Sequence, residues 1–335
     1  MKTRVAVIGA LLVLVCIPRF TMWDPGPIGK LTASAKDFPW GHPVDVEGYE
    51  RLVGYFRGHA PADSMIVPFC YRPLAPAIAS ALPAAPGVAL NLLNLASLLV
   101  CVVLLERIGL LVGLGRRGRW AAGLMFALSF PAFYYGTIGF IDPVAMMFAA
   151  LLLLLVLRES SLALLLPVTV LAVLAKETNA AFGLLPLAGA FAGGRVNRDA
   201  LIKVAVLLAA AAGTFILCRA AAPFPRQEFI GSSWVPRYSS AIENLSRPRT
   251  YVSLLLTIGI PAGFAALAIL TGRTRSVLSP RNARVLATGS LVVAASYVYT
   301  LLSTVADGRI IWITYPFLIP LAATWFENRA PTPPH

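Results

Sequence analysis

Apolar runs long enough to cross a bilayer recur from one end of this chain to the other. The clearest, VALNLLNLASLLVCVVLL over 88–105, holds no charged residue. A hydrocarbon layer about 30 Å thick takes about 20 helical residues to cross. Inside such a layer every backbone N–H and C=O needs a partner from the chain itself, which leaves only helices and closed barrels. Ten-residue strands of alternating polarity are absent, and that excludes a barrel. Charged residues make up 13% of the chain, about half the roughly 25% of a soluble domain. The chain is therefore predicted to be all-α: a polytopic transmembrane helical bundle, one integral membrane domain over 1–335.

The pattern gives about ten spans, at 4–22, 86–105, 119–136, 139–157, 161–175, 178–193, 200–218, 251–271, 284–303 and 309–326. The first follows MKTR and lacks a small-residue cleavage site, so it reads as an uncleaved span. Two long polar intervals remain, 23–85 and 219–250. Within the first, 73–82 is too short to cross and reads as a surface or re-entrant helix. The net charge of +13 would suit nucleic acid. It has a simpler reading: Lys and Arg concentrate in 1–4, 106–118, 158–160, 194–203, 272–284 and 327–335, while the other side is near balance. Cytoplasmic loops carry such an excess, so both termini are expected in the cytoplasm and no nucleic-acid partner is expected. Gly113-Leu-Gly115-Arg-Arg-Gly118 spells a dinucleotide fingerprint, but it follows an apolar span and not a strand, and reads as a basic inner loop.

That orientation sends Asp45, Glu47, Arg72, Asp142, Lys176, Glu177, Asp307 and Arg309 to the extracytoplasmic side. Ionisable groups at a membrane edge are costly and mark sites or water-filled cavities. Asp45 opens an amphipathic helix over 46–57, with Tyr49, Leu52 and Phe56 on its face. It suits a general base acting on a hydroxyl, or an ordinary helix cap. Glu47 points elsewhere and makes an i,i+4 pair with Arg51. Arg72, after Tyr71, suits a phosphate or snorkels to headgroups. Asp142-Pro143 fits a helix start or lines a cavity. Lys176-Glu177 neutralise each other in a tight turn or hold a phosphate. Arg309 is a further phosphate candidate. Trp234 and Tyr238 are interface aromatics or contact a sugar or lipid.

Three readings concern other chemistry. Asp45 and Glu47 could hold a divalent cation together with a phosphate, but two hard ligands are a weak signal, and His42, His59 and His335 have no zinc spacing, so no metal or cofactor is expected. Asn244-Leu-Ser246 fits a glycosylation sequon. Cys70 and Cys218 share the outer side, which allows a bridge without requiring one.

Five short motifs stand along the chain: D-x-x-x-Y (Asp45, Tyr49), YRPL-x-P (Tyr71 to Pro76), G-x-x-D-P (Gly139, Asp142, Pro143), L-A-K-E-T (Leu174 to Thr178) and R-x-x-x-x-x-Y-P-F-L-x-P (Arg309 to Pro320). Together they resemble the GT-C superfamily of integral-membrane glycosyltransferases. The resemblance implies transfer of a sugar from a polyprenyl-phosphate donor to an extracytoplasmic glycan, lipid or protein acceptor, in the cell's inner (plasma) membrane. It implies Asp45 as base and Arg72, Lys176 and Arg309 around the donor phosphate. Glu47, Tyr49, Tyr71, Asp142, Glu177, Asp307, Trp234 and Tyr238 would line the site. Two rival readings stand beside it: a lipid-linked sugar flippase or transporter, and a non-catalytic membrane protein of envelope assembly.

Overall fold

A computed structural model describes residues 1–20, 44–190, 198–225, 237–303 and 308–327. Among them every regular element is helical. In chain order the α-helices are α1 (Lys2–Cys16), α2 (Val44–Phe56), α3 (Leu74–Ser80), α4 (Pro86–Leu111), α5 (Arg116–Ala127), α6 (Phe130–Tyr135), α7 (Asp142–Leu157) and α8 (Leu162–Ala175). They continue as α9 (Leu185–Ala190), α10 (Arg198–Ala221), α11 (Tyr238–Ser246), α12 (Pro248–Leu270), α13 (Arg273–Val277), α14 (Pro280–Ser303), α15 (Gly308–Trp312) and α16 (Tyr315–Ala323).

Four of these, α4, α10, α12 and α14, are long and apolar enough to cross a membrane, and α7 and α8 are shorter apolar helices. The helix α4 runs through the middle of the bundle, packed against α1, α5 and α7. The other three long helices keep much apolar surface outside: Ile216 and Leu217 on α10, Leu255 and Ile260 on α12, and Leu291 on α14 are all exposed. Apolar side chains facing outward on long helices are what a lipid solvent rewards and water does not.

Three expected spans are broken, each for a local reason. The run 119–136 divides at Ser129, whose hydroxyl accepts the Ala132 N–H at 3.3 Å and starts α6 with Pro131 in its first turn. The run 178–193 begins as a 3-10 turn over Glu177–Leu184 before α9. The Asn179 amide pins that turn by donating to the carbonyls of Ala145 (3.2 Å) and Ala172 (3.0 Å). The run 309–326 is divided among α15, α16 and a final 3-10 turn at Thr324–Phe326, with Pro316 and Pro320 in α16. The short helix expected over 73–82 is α3.

At one end of α4, Glu106 is buried between two guanidinium groups, Arg4 (3.2 Å) and Arg119 (3.1 Å). The glycine fingerprint lies beside this clamp. Gly118 donates its N–H to the Glu327 carboxylate at 3.1 Å, so its backbone faces an acid and not a phosphate. Toward the other end of α4, about 20 Å away along the helix, two buried amides fasten the turn before α7. Asn91 accepts the Gly139 N–H at 2.6 Å, and Asn94 donates to the Phe140 carbonyl. Gly139 holds φ +94°, and a Cβ there would lie 2.5 Å from Val46 of α2. A glycine at this point therefore lets the start of α7 and the start of α2 meet.

Candidate functional site

Six charged side chains converge where α2, α7, α15, the α8–α9 turn and the residues before α3 come together. Arg309, on α15, donates to the Asp45 carboxylate at 2.5 Å. Its Nε lies 3.6 Å from Asp142, the first residue of α7. Asp142 accepts in turn from Lys176 Nζ at 2.5 Å. The next residue, Glu177, forms a two-pronged pair with Arg72, at 2.7 and 2.5 Å. Arg72 also donates to the Tyr49 hydroxyl at 2.7 Å. Tyr49 lies one helical turn from Asp45 on α2. Asp45, Asp142 and Lys176 are each less than one-tenth exposed. The positions joined are as much as 264 residues apart.

The carboxylates and cations balance, three against three. Burial alone would favour the neutral acid at Glu177, but the Arg72 guanidinium outweighs it and holds the carboxyl at about 2. Burial pushes the Tyr49 phenol above its ordinary range, so it stays protonated as a hydrogen-bonding group. Arg309 also lies over the Phe140 ring, its Cζ 3.7 Å from the centroid. One Asp45 oxygen, Oδ2, receives Arg309. Its other oxygen, Oδ1, has no protein hydrogen bond among the described residues and can accept a proton.

The sequence candidates separate into groups. Asp45, Tyr49, Arg72, Asp142, Lys176, Glu177 and Arg309 share this network. Asp142 does not cap its helix; Ile141 holds the cap position and the carboxylate turns to Lys176. Glu47 lies apart, paired with Arg51 at 2.6 Å in a half-exposed i,i+4 bridge. Tyr71 is buried beside the network, its hydroxyl donating to the Pro225 carbonyl at 2.9 Å. Tyr238 stands 82% exposed on α11 and takes no part. Trp234 and Asp307 lie outside the described residues.

Other expectations meet clear geometry. The face predicted from Asp45 through Phe56 is buried as far as Leu52, but Phe56 turns outward in the last turn. Asn244 of the sequon is buried and donates to the Leu301 carbonyl at 2.9 Å, which closes it to a glycan in the folded chain. Cys70 and Cys218 carry free thiols, the Cys218 Sγ resting 3.8 Å from the Tyr71 carbonyl oxygen. No group of three His, Cys, Asp or Glu side chains placed to hold a metal occurs among the described residues.

Sequence reasoning passed over Phe140, which precedes the Asp-Pro start of α7 by two residues and carries Arg309. It also passed over Gly308. A Cβ at Gly308 would run into the Ser253 carbonyl oxygen and stand 2.5 Å from the Thr257 hydroxyl. We expect Gly308→Ala to lower stability by about 1–3 kcal/mol, the range for overpacking, and to draw Arg309 off Asp45. A thermal midpoint equal to that of the wild type would show that α15 can yield without cost.

Compared with family models, with curated proteins and with solved structures, the chain matches none.

Proposed function

We propose that this chain is a membrane glycosyltransferase that moves a sugar from a polyprenyl-phosphate donor to an extracytoplasmic acceptor. Its four long apolar helices, shorter apolar helices and broken segments make about ten crossings of the inner (plasma) membrane. Both termini are cytoplasmic in this reading, and the Asp45 end of the bundle faces out. The observation that carries it is the buried network itself: a carboxylate with one oxygen uncommitted among the described residues, beside three cations, all drawn from distant parts of the chain. A structural ion pair needs two partners; a proton acceptor beside several phosphate-binding groups needs the set.

The reaction is a displacement at the anomeric carbon. The acceptor hydroxyl gives its proton to Asp45 Oδ1 as its oxygen forms the new C–O bond. The old bond from the anomeric carbon to the phosphate oxygen breaks, and the electron pair leaves with the polyprenyl phosphate. Arg72, Lys176 and Arg309 offset the charge gathering on that phosphate. Because Arg309 is already held by Asp45 and Asp142, the phosphate must exchange with a carboxylate. Exchange at Arg309 frees the Asp45 carboxylate as the donor arrives.

The test uses the purified protein in nanodiscs with radiolabelled polyprenyl-phosphate sugars and extracytoplasmic glycan, lipid and protein acceptors. The wild type is expected to release labelled product, and Asp45→Asn to lose at least 100-fold in rate, the lower range for a general base, with donor binding kept within a few fold. Full turnover in the mutant ends the assignment of the base. Movement of the labelled lipid between the leaflets of sealed proteoliposomes without product would make the protein a flippase, and neither outcome would leave it an assembly factor.

A further inference from the structure

One cation beside the network is taken up by no carboxylate among the described residues. Arg219, in the last turn of α10, lies over the Phe215 ring at 3.6 Å and over the Tyr71 ring at 4.8 Å. Among the described residues its guanidinium makes no hydrogen bond and no ion pair. It is near enough to Glu177 and Arg72 to feel both charges, and Tyr71 is the neighbour of Arg72 in sequence. Two rings thus hold a flat guanidinium in place, and no group among the described residues takes up its N–H donors. Every other cation of the cluster must give up a partner before it can take an anion; Arg219 has none to give up among the described residues.

The surface around Arg219 indicates the kind of anion. Ile216 and Leu217, the turn before it, are 57% and 66% exposed, on a helix that keeps most of its apolar surface outside the bundle. A ligand meeting both features has a phosphate at one end and an apolar chain at the other. We propose that Arg219 is a phosphate-receiving residue on the rim of the site, taking the phosphate of a lipid-linked ligand whose chain lies along Ile216 and Leu217 before the phosphate passes to Arg72. The role deepens the transferase reading and rests on it only for the identity of the ligand.

The experiment measures binding, not turnover. The full chain is placed in phosphatidylcholine nanodiscs and titrated with farnesyl phosphate, with farnesol and inorganic phosphate as controls. We expect Arg219→Gln to weaken farnesyl phosphate binding at least tenfold. Arg219→Lys should weaken it about threefold, because lysine keeps the charge but loses the planar fork and its stacking. Weak binding of farnesol should not change, and inorganic phosphate should bind much more weakly than the prenyl phosphate. Unchanged farnesyl phosphate affinity in Arg219→Gln overturns the proposal and leaves the Asp45 test untouched. A parallel series in nanodiscs containing phosphatidylglycerol identifies the other source of lipid phosphate. If Arg219→Gln loses retention of phosphatidylglycerol but not of farnesyl phosphate, Arg219 is an anchor for bulk lipid and the proposal falls. Arg219-dependent binding in a protein that transfers no sugar supports the proposal and removes the transferase reading instead.

Discussion

Asp142→Ala is expected to destabilise the protein by about 3–5 kcal/mol, the usual cost of leaving a buried charge without its partner. The carboxylate is 5% exposed and stands between Lys176 at 2.5 Å and Arg309 at 3.6 Å. Its removal leaves two cations in a nearly dry space with only Asp45 to answer them. Asp142→Asn keeps the shape and an accepting oxygen, so its smaller cost, about 1–3 kcal/mol, separates the loss of charge from the loss of volume. The readout is the midpoint of heat unfolding in detergent, followed by the fraction of protein still monodisperse. If Asp142→Ala lies within 1 kcal/mol of the wild type, water screens the pair and the network is not the closed unit described above. Transfer activity should fall as well, because Arg309 released from Asp142 can bind Asp45 with both arms and occupy Oδ1.

The sequence identified most members of this network but not their partners. Asp45 and Tyr49 were legible because helical spacing puts both on one face. Asp142 was legible as the start of a helix, yet its capping chemistry suggested a local role, and the carboxylate instead reaches a lysine 34 residues further on. Lys176 and Glu177 looked like a pair that cancels itself. The backbone of Lys176 is extended, with φ −162° and ψ 126°, and successive side chains along extended backbone point to opposite sides. One therefore meets Asp142 and the other meets Arg72. The broken spans show a related limit: a hydropathy window averages over Ser129 and Pro131, whereas a single hydroxyl on a single N–H is enough to end one helix and begin the next. Arg219 was legible only in part: Phe215 lies one helical turn before it, but the second ring, Tyr71, comes from a turn 148 residues earlier in the chain.

A double-mutant cycle on Arg72 and Glu177 should show how far the network is held by pairing and how far by burial. Glu177→Met is expected to cost about 3–5 kcal/mol, and so is Arg72→Met, since each strands the opposite charge. Arg72→Met combined with Glu177→Met should cost much less than the two together, because neither charge then has to be kept from water. The pair also sets an acid limit. Glu177 titrates at about 2 in the folded chain against an ordinary 4.5. The folded value is the lower one, so the unfolded chain binds the proton first as pH falls. The stabilisation is whole above about pH 4.5 and drains away as pH drops from there toward 2. Heat-unfolding midpoints measured from pH 6 downward should fall in that window for the wild type and fall less in the double methionine variant. Equal acid slopes in the two proteins would mean that Glu177 ionises as freely as it does in water, and that the Arg72 pair opens to solvent. Parallel slopes together with a full loss of transfer would point the other way for function: Arg72 would then serve the ligand and not the fold, since a cation that adds nothing to acid stability has no structural reason to be buried beside Tyr49.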